Sequence, residues 1–153
     1  MKDPDIYRKK ELILISGLPG SGKSTLATRI ANAESSVVFE ADMYFYHEGK
    51  YIFEPRDLPT AHAWCQMRTR GALEAAAGAA TVVVANTFSR KWETEAYYKI
   101  AKSCQARVVL IDLFDQGCSD EQLAARNTHG VPQAAIAAMR ARWEHGQSKV
   151  WDE

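Results

Sequence analysis

Four stretches of the chain are apolar without a polar break: LILI at 12–15, VVF at 37–39, VVVA at 82–85 and VVLI at 108–111. A strand with one face in water alternates, whereas an uninterrupted short run fits a parallel strand covered on both faces. The runs predict strands over 11–16, 36–40 and 107–114, and one over 81–88 that leads into a loop. Between them the pattern lengthens to a helical period. Leu26, Ile30 and Ala33 mark a helix over 22–33. A long helix runs from about Asp57 to Gly78, where the glycine supplies a stop. Trp92, Ala96, Tyr97 and Ile100 mark another over 91–103. Ser119 and Gln122 form a capping box for a helix ending near Asn127. After Gly130, Pro132 suits the first turn of a last helix carrying Ile136, Met139 and Trp143, with Arg140 and Arg142 on its solvated face. Strands alternating with helices make an α/β three-layer sandwich with a mostly parallel sheet. The reading is one domain over 11–153 behind a polar leader at 1–10.

Composition changes this picture little and narrows the partners. The 153 residues are 46% hydrophobic and 25% charged, ordinary for one globular domain. Lys and Arg number 19, as do Asp and Glu, which excludes a uniformly basic coat but not a local basic groove. Cys65, Cys104 and Cys118 are odd in number and far apart, so they form neither a disulfide framework nor a C-x-x-C knuckle. MKDPDIYRKKE has no apolar signal-peptide core, and no run approaches the roughly 20 residues that span a bilayer. The expectation is a cytoplasmic protein without membrane attachment.

Chemistry enters after the first strand. Gly17, Gly22, Lys23 and Ser24 satisfy G-x-x-x-x-G-K-[ST], between a buried strand and the opening of a helix. In the segment Gly17, Leu18, Pro19, Gly20, Ser21, Gly22, Lys23, Ser24 and Thr25, the glycines let backbone N–H groups wrap an anion, and the helix adds its positive end. Lys23 reaches β- and γ-phosphates, the Ser24 hydroxyl ligates Mg²⁺, and Thr25 is placed for the α-phosphate. ATP with Mg²⁺ is the implied cofactor pair.

Kinases, switches and motors share this cradle. A switch or motor commonly holds Mg²⁺ with an acid pair at a strand end; Asp112, in VVLIDLF of the late last strand, lacks a following acid. A kinase needs a carboxylate near the γ-phosphate to take the acceptor's proton. Ligands gather at the carboxyl ends of parallel strands. Asp42 follows the second strand there, with Glu40 alternating beside it.

The segments GLPGSGKSTLA, EADMYF, GKYIFEPRDLPTAHAWC, VVVANTFSRKWETEAYYKIA and RNTHGVPQAAIAAMRARWE together resemble the polynucleotide-kinase-like branch of P-loop kinases. That branch includes small stand-alone kinases of bacteria and phages, with zeta-toxin-type kinases more distant. The resemblance runs in order along nearly the whole chain. It implies a P-loop kinase fold, Asp42 as general base, and Arg126 as the arginine of a lid near 126–132 that closes on ATP. It further implies Asn86 and Thr87 as groups that bond substrate or order the site, and His129 as lid structure. Two positions depart from the family: Ala85 stands where an acid is common, and Phe45 where 5′-end kinases carry a phosphate-holding arginine.

On the acceptor side, Tyr44, Phe45, Tyr46, Tyr51 and Phe53 cluster after Asp42 with Lys50 and Arg56 interleaved. Such a surface stacks bases and holds backbone phosphates, or else forms a small core under a loop. The expected substrate contacts are Glu40, Asp42, Tyr44, Phe45, Tyr51, Arg56, Asn86 and Thr87. Nucleic acid, DNA before RNA, is the favoured partner, and the resemblance to phage enzymes favours 5-hydroxymethyluracil in DNA over a polynucleotide 5′-hydroxyl. The alternatives are a small-molecule kinase acting on a nucleoside, sugar or antibiotic, and a nucleotide-binding switch without transfer.

Overall fold

A computed structural model describes residues 10–145; residues 1–9 of the expected leader lie outside the described residues, and Lys10, expected within it, opens the first strand. Strands β1 (Lys10–Ser16), β2 (Val37–Phe39), β5 (Thr81–Ala85) and β6 (Ala106–Asp112) form one sheet in the order β2-β5-β1-β6. Every pairing in it is parallel, with Leu12 beside Val82 on one side and Val108 on the other. Helices α1 (Lys23–Glu34), α2 (Leu58–Ala75), α3 (Trp92–Ser103), α4 (Asp120–Arg126) and α5 (Gln133–Ala141) complete the alternation. The expected α/β architecture is present.

The central strands carry continuous apolar runs because both their faces are covered. Leu12, Leu14, Val82 and Val84 pack with Ala61, Cys65 and Leu73 of α2 and Tyr97 and Ile100 of α3. Ile13, Ile15, Val83 and Ala85 pack with Ala27 and Ala31 of α1 on the other face. Truncating one such leucine costs about 2–5 kcal/mol.

The expectation of full burial fails at the two edges. β6 pairs with β1 alone, and Val108 to Ile111 are half-buried; Val37 of β2 is exposed. An apolar run thus marks a parallel strand here without giving its rank in the sheet. Ser119 and Gln122 form the expected capping box at α4, while Pro132 stands at the N-cap position of α5, one residue before the first turn in which it was expected.

Trp143 was expected on the last helix, but α5 stops at Ala141. Trp143 instead joins a third cluster, with Leu18, Leu123, Ile136 and Phe114. Arg140 and Arg142 are likewise not on a solvated face. Arg140 donates to Asp115, to Asp120 at 2.8 Å and to the Cys118 carbonyl at 2.9 Å, and Arg142 donates to Ser89 at 3.0 Å. The Arg140 bonds tie the last helix to α4 and the loop before it, and the Arg142 bond ties the end of that helix to the loop after β5. Residues 41–56 hold structure that the sequence pattern missed: a 3-10 turn at Ala41–Phe45 and a hairpin of β3 (Tyr46–His47) and β4 (Lys50–Tyr51). Among the described residues, no helix is long and apolar enough to cross a membrane.

Candidate active site

The phosphate cradle begins where β1 ends. The Gly17 N–H donates to the Thr87 carbonyl at 3.3 Å and the Leu18 N–H to the Phe114 carbonyl at 2.9 Å, so the loop hangs from both neighbouring strands. Leu18 is fully buried in the third cluster, and Pro19 is buried beside it. Gly20 has φ +83°, and a Cβ there would come within 2.4 Å of the Leu123 carbonyl oxygen, so glycine lets the loop lie against α4. Gly22, at φ +98°, opens α1 without any side-chain cap, and the first turn of α1 carries no acid. Its N–H groups are therefore left for an anion. The buried Ser21 Oγ has no hydrogen-bond partner and lies against Gly17, where a Cβ would collide with it. The residues present fit a nucleotide polyphosphate.

Lys23 is half-buried at the start of α1. Burial pushes its ammonium below the usual lysine value, and the charges of Glu40 and Asp42 offset part of that. Thr25 stands exposed on the same turn. The Ser24 hydroxyl donates to Glu40 Oε1 at 2.6 Å. Among the described residues there is no cluster of three or more His, Cys, Asp or Glu side chains able to hold a metal. A cation here would rest on Ser24 and on the nucleotide's own oxygens, the usual arrangement for Mg²⁺ with phosphates.

Asp42 sits in the 3-10 turn after β2, at the carboxyl end of the sheet. Tyr51 donates to its Oδ1 at 2.9 Å, and His129 Nδ1 lies 3.2 Å from its Oδ2. Burial alone would raise the Asp42 carboxyl. The hydrogen bond and charge of His129, the Tyr51 hydroxyl and the charge of Lys23 outweigh it and hold the carboxyl below its ordinary value. The Tyr51 phenol is pushed well above its usual range by burial and by Asp42. An ionised carboxylate thus stands within the field of the cradle lysine, as a base for an alcohol requires.

The remaining expected residues divide. Asn86 is buried at the end of β5, and its Oδ1 accepts from the Ala41 N–H at 2.8 Å, so its amide shapes the Asp42 turn. Thr87 follows, half-buried, with its carbonyl on Gly17. Phe45 departs from expectation: it is 2% exposed and packs edge-on against Tyr44, Tyr51 and Phe53. Tyr44 also lies against Trp64. Phe45 is part of the core that β1, β5, α2 and α3 share, and Tyr44 packs against that core from the 3-10 turn. Arg56 is an 82% exposed side chain paired with Glu54 at 3.4 Å. Tyr46 and Phe53 keep open faces, at 48% and 46% exposure. Arg126, the last residue of α4, donates to the Cys118 sulfur at 3.0 Å. Gly20 abuts Leu123 one turn earlier, which keeps Arg126 near the cradle's rim. The contact that sequence reasoning missed is His129 on Asp42. No local pattern signals it, because the pair joins positions in different loops.

Residues 12–145 match the model of the family described as AAA domain, and the chain belongs to that family. Human NEDD4-binding protein 2 is 33% identical over 139 residues, covering 87% of this chain, while the chain spans only 8% of that relative. Among solved structures, the Pnkp1/Rnl/Hen1 RNA repair complex is similar with TM-score 0.67 and 17% identity, over 94% of this chain and 47% of that one. A gluconokinase from Sinorhizobium meliloti 1021 is similar with TM-score 0.59 and 20% identity, over 94% of this chain and 80% of that one. The fold is the one shared by P-loop kinases.

Proposed function

We propose that this AAA-domain chain is an ATP-dependent kinase that transfers the γ-phosphate to a hydroxyl group of a nucleic acid. The observation that carries the reading is the Asp42 carboxylate at the carboxyl end of the sheet, held by Tyr51 at 2.9 Å and His129 at 3.2 Å and within the field of Lys23. Asp42 and Arg126 together favour transfer over a nucleotide-binding switch. Lys23 and the α1 N-terminus bind and orient the polyphosphate, Ser24 holds the cation, and Asp42 takes the proton of the acceptor hydroxyl. Arg126 swings from Cys118 to the phosphates as the loop at 126–132 closes. Bound ATP supplies the phosphoryl group, and Mg²⁺ offsets its charge.

The favoured acceptor is 5-hydroxymethyluracil within DNA. Phe45, buried, leaves no cation three residues after the base to hold the phosphate next to a 5′ end. The exposed rings of Tyr46 and Phe53 offer stacking faces for an extruded base, with Lys50 exposed between them. The test is incubation with γ-labelled ATP, Mg²⁺ and a panel: end-blocked DNA containing 5-hydroxymethyluracil, 5′-hydroxyl DNA, 5′-hydroxyl RNA, free nucleosides and gluconate. Label on the modified DNA is expected. Label on 5′ ends alone makes the protein an end kinase, and label only on small molecules sinks the nucleic-acid reading.

A further inference from the structure

The loop between α4 and α5 is knotted by one side chain. The Asn127 amide donates to the carbonyls of Ala124 at 2.9 Å, Val131 at 3.0 Å and Leu123 at 3.4 Å, and its Oδ1 accepts from the Val131 N–H at 2.9 Å. Gly130, at φ +68°, turns the chain directly after His129. The imidazole is thereby aimed. Its Nδ1 meets Asp42 Oδ2, its Nε2 lies 3.4 Å from the Tyr46 hydroxyl, and its ring leans on Tyr51 with centroids 4.5 Å apart.

Two donors do not close the carboxylate. An ionised carboxylate offers about four lone-pair sites. Tyr51 takes one on Oδ1 and His129 one on Oδ2, while the Asp42 side chain keeps 42% exposure. The free lone pairs are open to an acceptor hydroxyl, and the two bonds fix the plane in which they lie. Tyr51 is anchored by the hairpin over Phe45. His129 is anchored by the same knotted segment that follows Arg126. One bond therefore joins the geometry of the lid to the geometry of the base.

We propose that His129 is a positioning residue for phosphoryl transfer, a lid-borne donor that orients Asp42 toward the acceptor hydroxyl and couples closure of the α4–α5 loop to alignment of the base. The proposal rests on the reading of Asp42 as general base. In that step the acceptor oxygen bonds to the γ-phosphorus, and the bond from that phosphorus to the β–γ bridging oxygen breaks. ADP leaves with the electron pair, and the acceptor's proton goes to Asp42; His129 keeps its own.

The groups facing the imidazole are Asp42, Glu40 and Lys23 from the sheet side and Tyr46 and Tyr51 from the hairpin. The hydrogen bond to Asp42 raises the imidazole above its ordinary value despite partial burial; Asp42 and Glu40 charges add to this and Lys23 opposes it. Stability from the lowered Asp42 carboxyl is lost as pH falls through its folded value. Stability from the raised His129 is lost as pH rises through its own. The charged pair persists between the two.

The test uses the whole chain as wild type, His129→Ala, His129→Gln and Asp42→Asn. Without ligand, NMR titration of the imidazoles identifies His129 by its loss in His129→Gln. Its midpoint is expected above about 6.5 in wild type and lower in Asp42→Asn. With γ-labelled ATP and whichever panel substrate takes label, His129→Ala is expected to lower kcat by up to about 10²-fold, the scale of an ångström-sized misplacement. It also moves the acidic limb of kcat/KM to higher pH and leaves the KM for ATP unchanged. His129→Gln, which keeps an amide donor, recovers part of kcat but not the limb. A His129 midpoint indifferent to Asp42→Asn overturns the proposal. So does a lower melting temperature with normal kcat and limb in His129→Ala. Full transfer by Asp42→Asn instead removes the base reading itself.

Discussion

The two halves of the cleft are made by different means. The phosphate half is one continuous piece of chain, β1 through α1, and its working groups are backbone N–H donors plus Lys23 and Ser24. The acceptor half draws on separated pieces: the turn at Ala41–Phe45, the β3–β4 hairpin, Asn86 after β5 and His129 after α4. A backbone site needs only glycines at the right spacing and a helix that starts there. A side-chain constellation needs the whole fold before any of its members meet.

The sharpest way to break this comparison is at Lys23. On the proposed reading its ammonium serves ligand charge, so Lys23→Ala is expected to abolish labelled phosphate transfer while leaving the melting temperature nearly unchanged. Burial disfavours the charged form there, so removing the ammonium is not expected to weaken the fold. Normal transfer by that variant would place catalysis elsewhere and dissolve the phosphate half as a functional unit.

A smaller effect, and one of a different kind, is expected at Phe45. A ring 2% exposed among Tyr44, Tyr51 and Phe53 is core. Phe45→Ala should destabilise by about 3–5 kcal/mol in chemical denaturation. A raised KM for the acceptor at wild-type stability would return the residue to the cleft and show that the aromatic cluster binds substrate directly.

What the sequence made legible follows the same division. The parallel sheet could be read because burial on both faces leaves an apolar run, and the cradle because its spacing is dictated by phosphate geometry. Asp42 was reachable from its place after β2. The roles of its neighbours were not. Phe45 and Tyr44 carry the same composition signal whether they stack on a substrate or on each other, and only the 3-10 turn decides. Arg140 looked like a surface charge until Asp115 and Asp120 were brought to it by the turn before α4. His129 had no periodic or spacing cue at all, because its partner lies in another loop.

Asn86 sits on the boundary between the halves, at the end of a central strand yet bonded to the turn that bears the proposed base. Its Oδ1 is the acceptor for the buried Ala41 N–H, and its Nδ2 faces the Cys65 sulfur at 3.8 Å. In Asn86→Ala that N–H loses its partner, a cost of about 1–3 kcal/mol. For a chain of this size each kcal/mol lowers the melting temperature by roughly 2–4 °C. Turnover should fall together with stability, because the freed turn no longer holds Asp42 at one distance from the cradle, while the KM for the acceptor stays near wild type. Asn86→Asp restores an acceptor oxygen to Ala41 but puts a second carboxylate behind Asp42, so it should recover less than full turnover. An Asn86→Ala variant with wild-type melting temperature and a raised acceptor KM would identify the amide as a substrate contact. The acceptor half would then reach through to β5 itself.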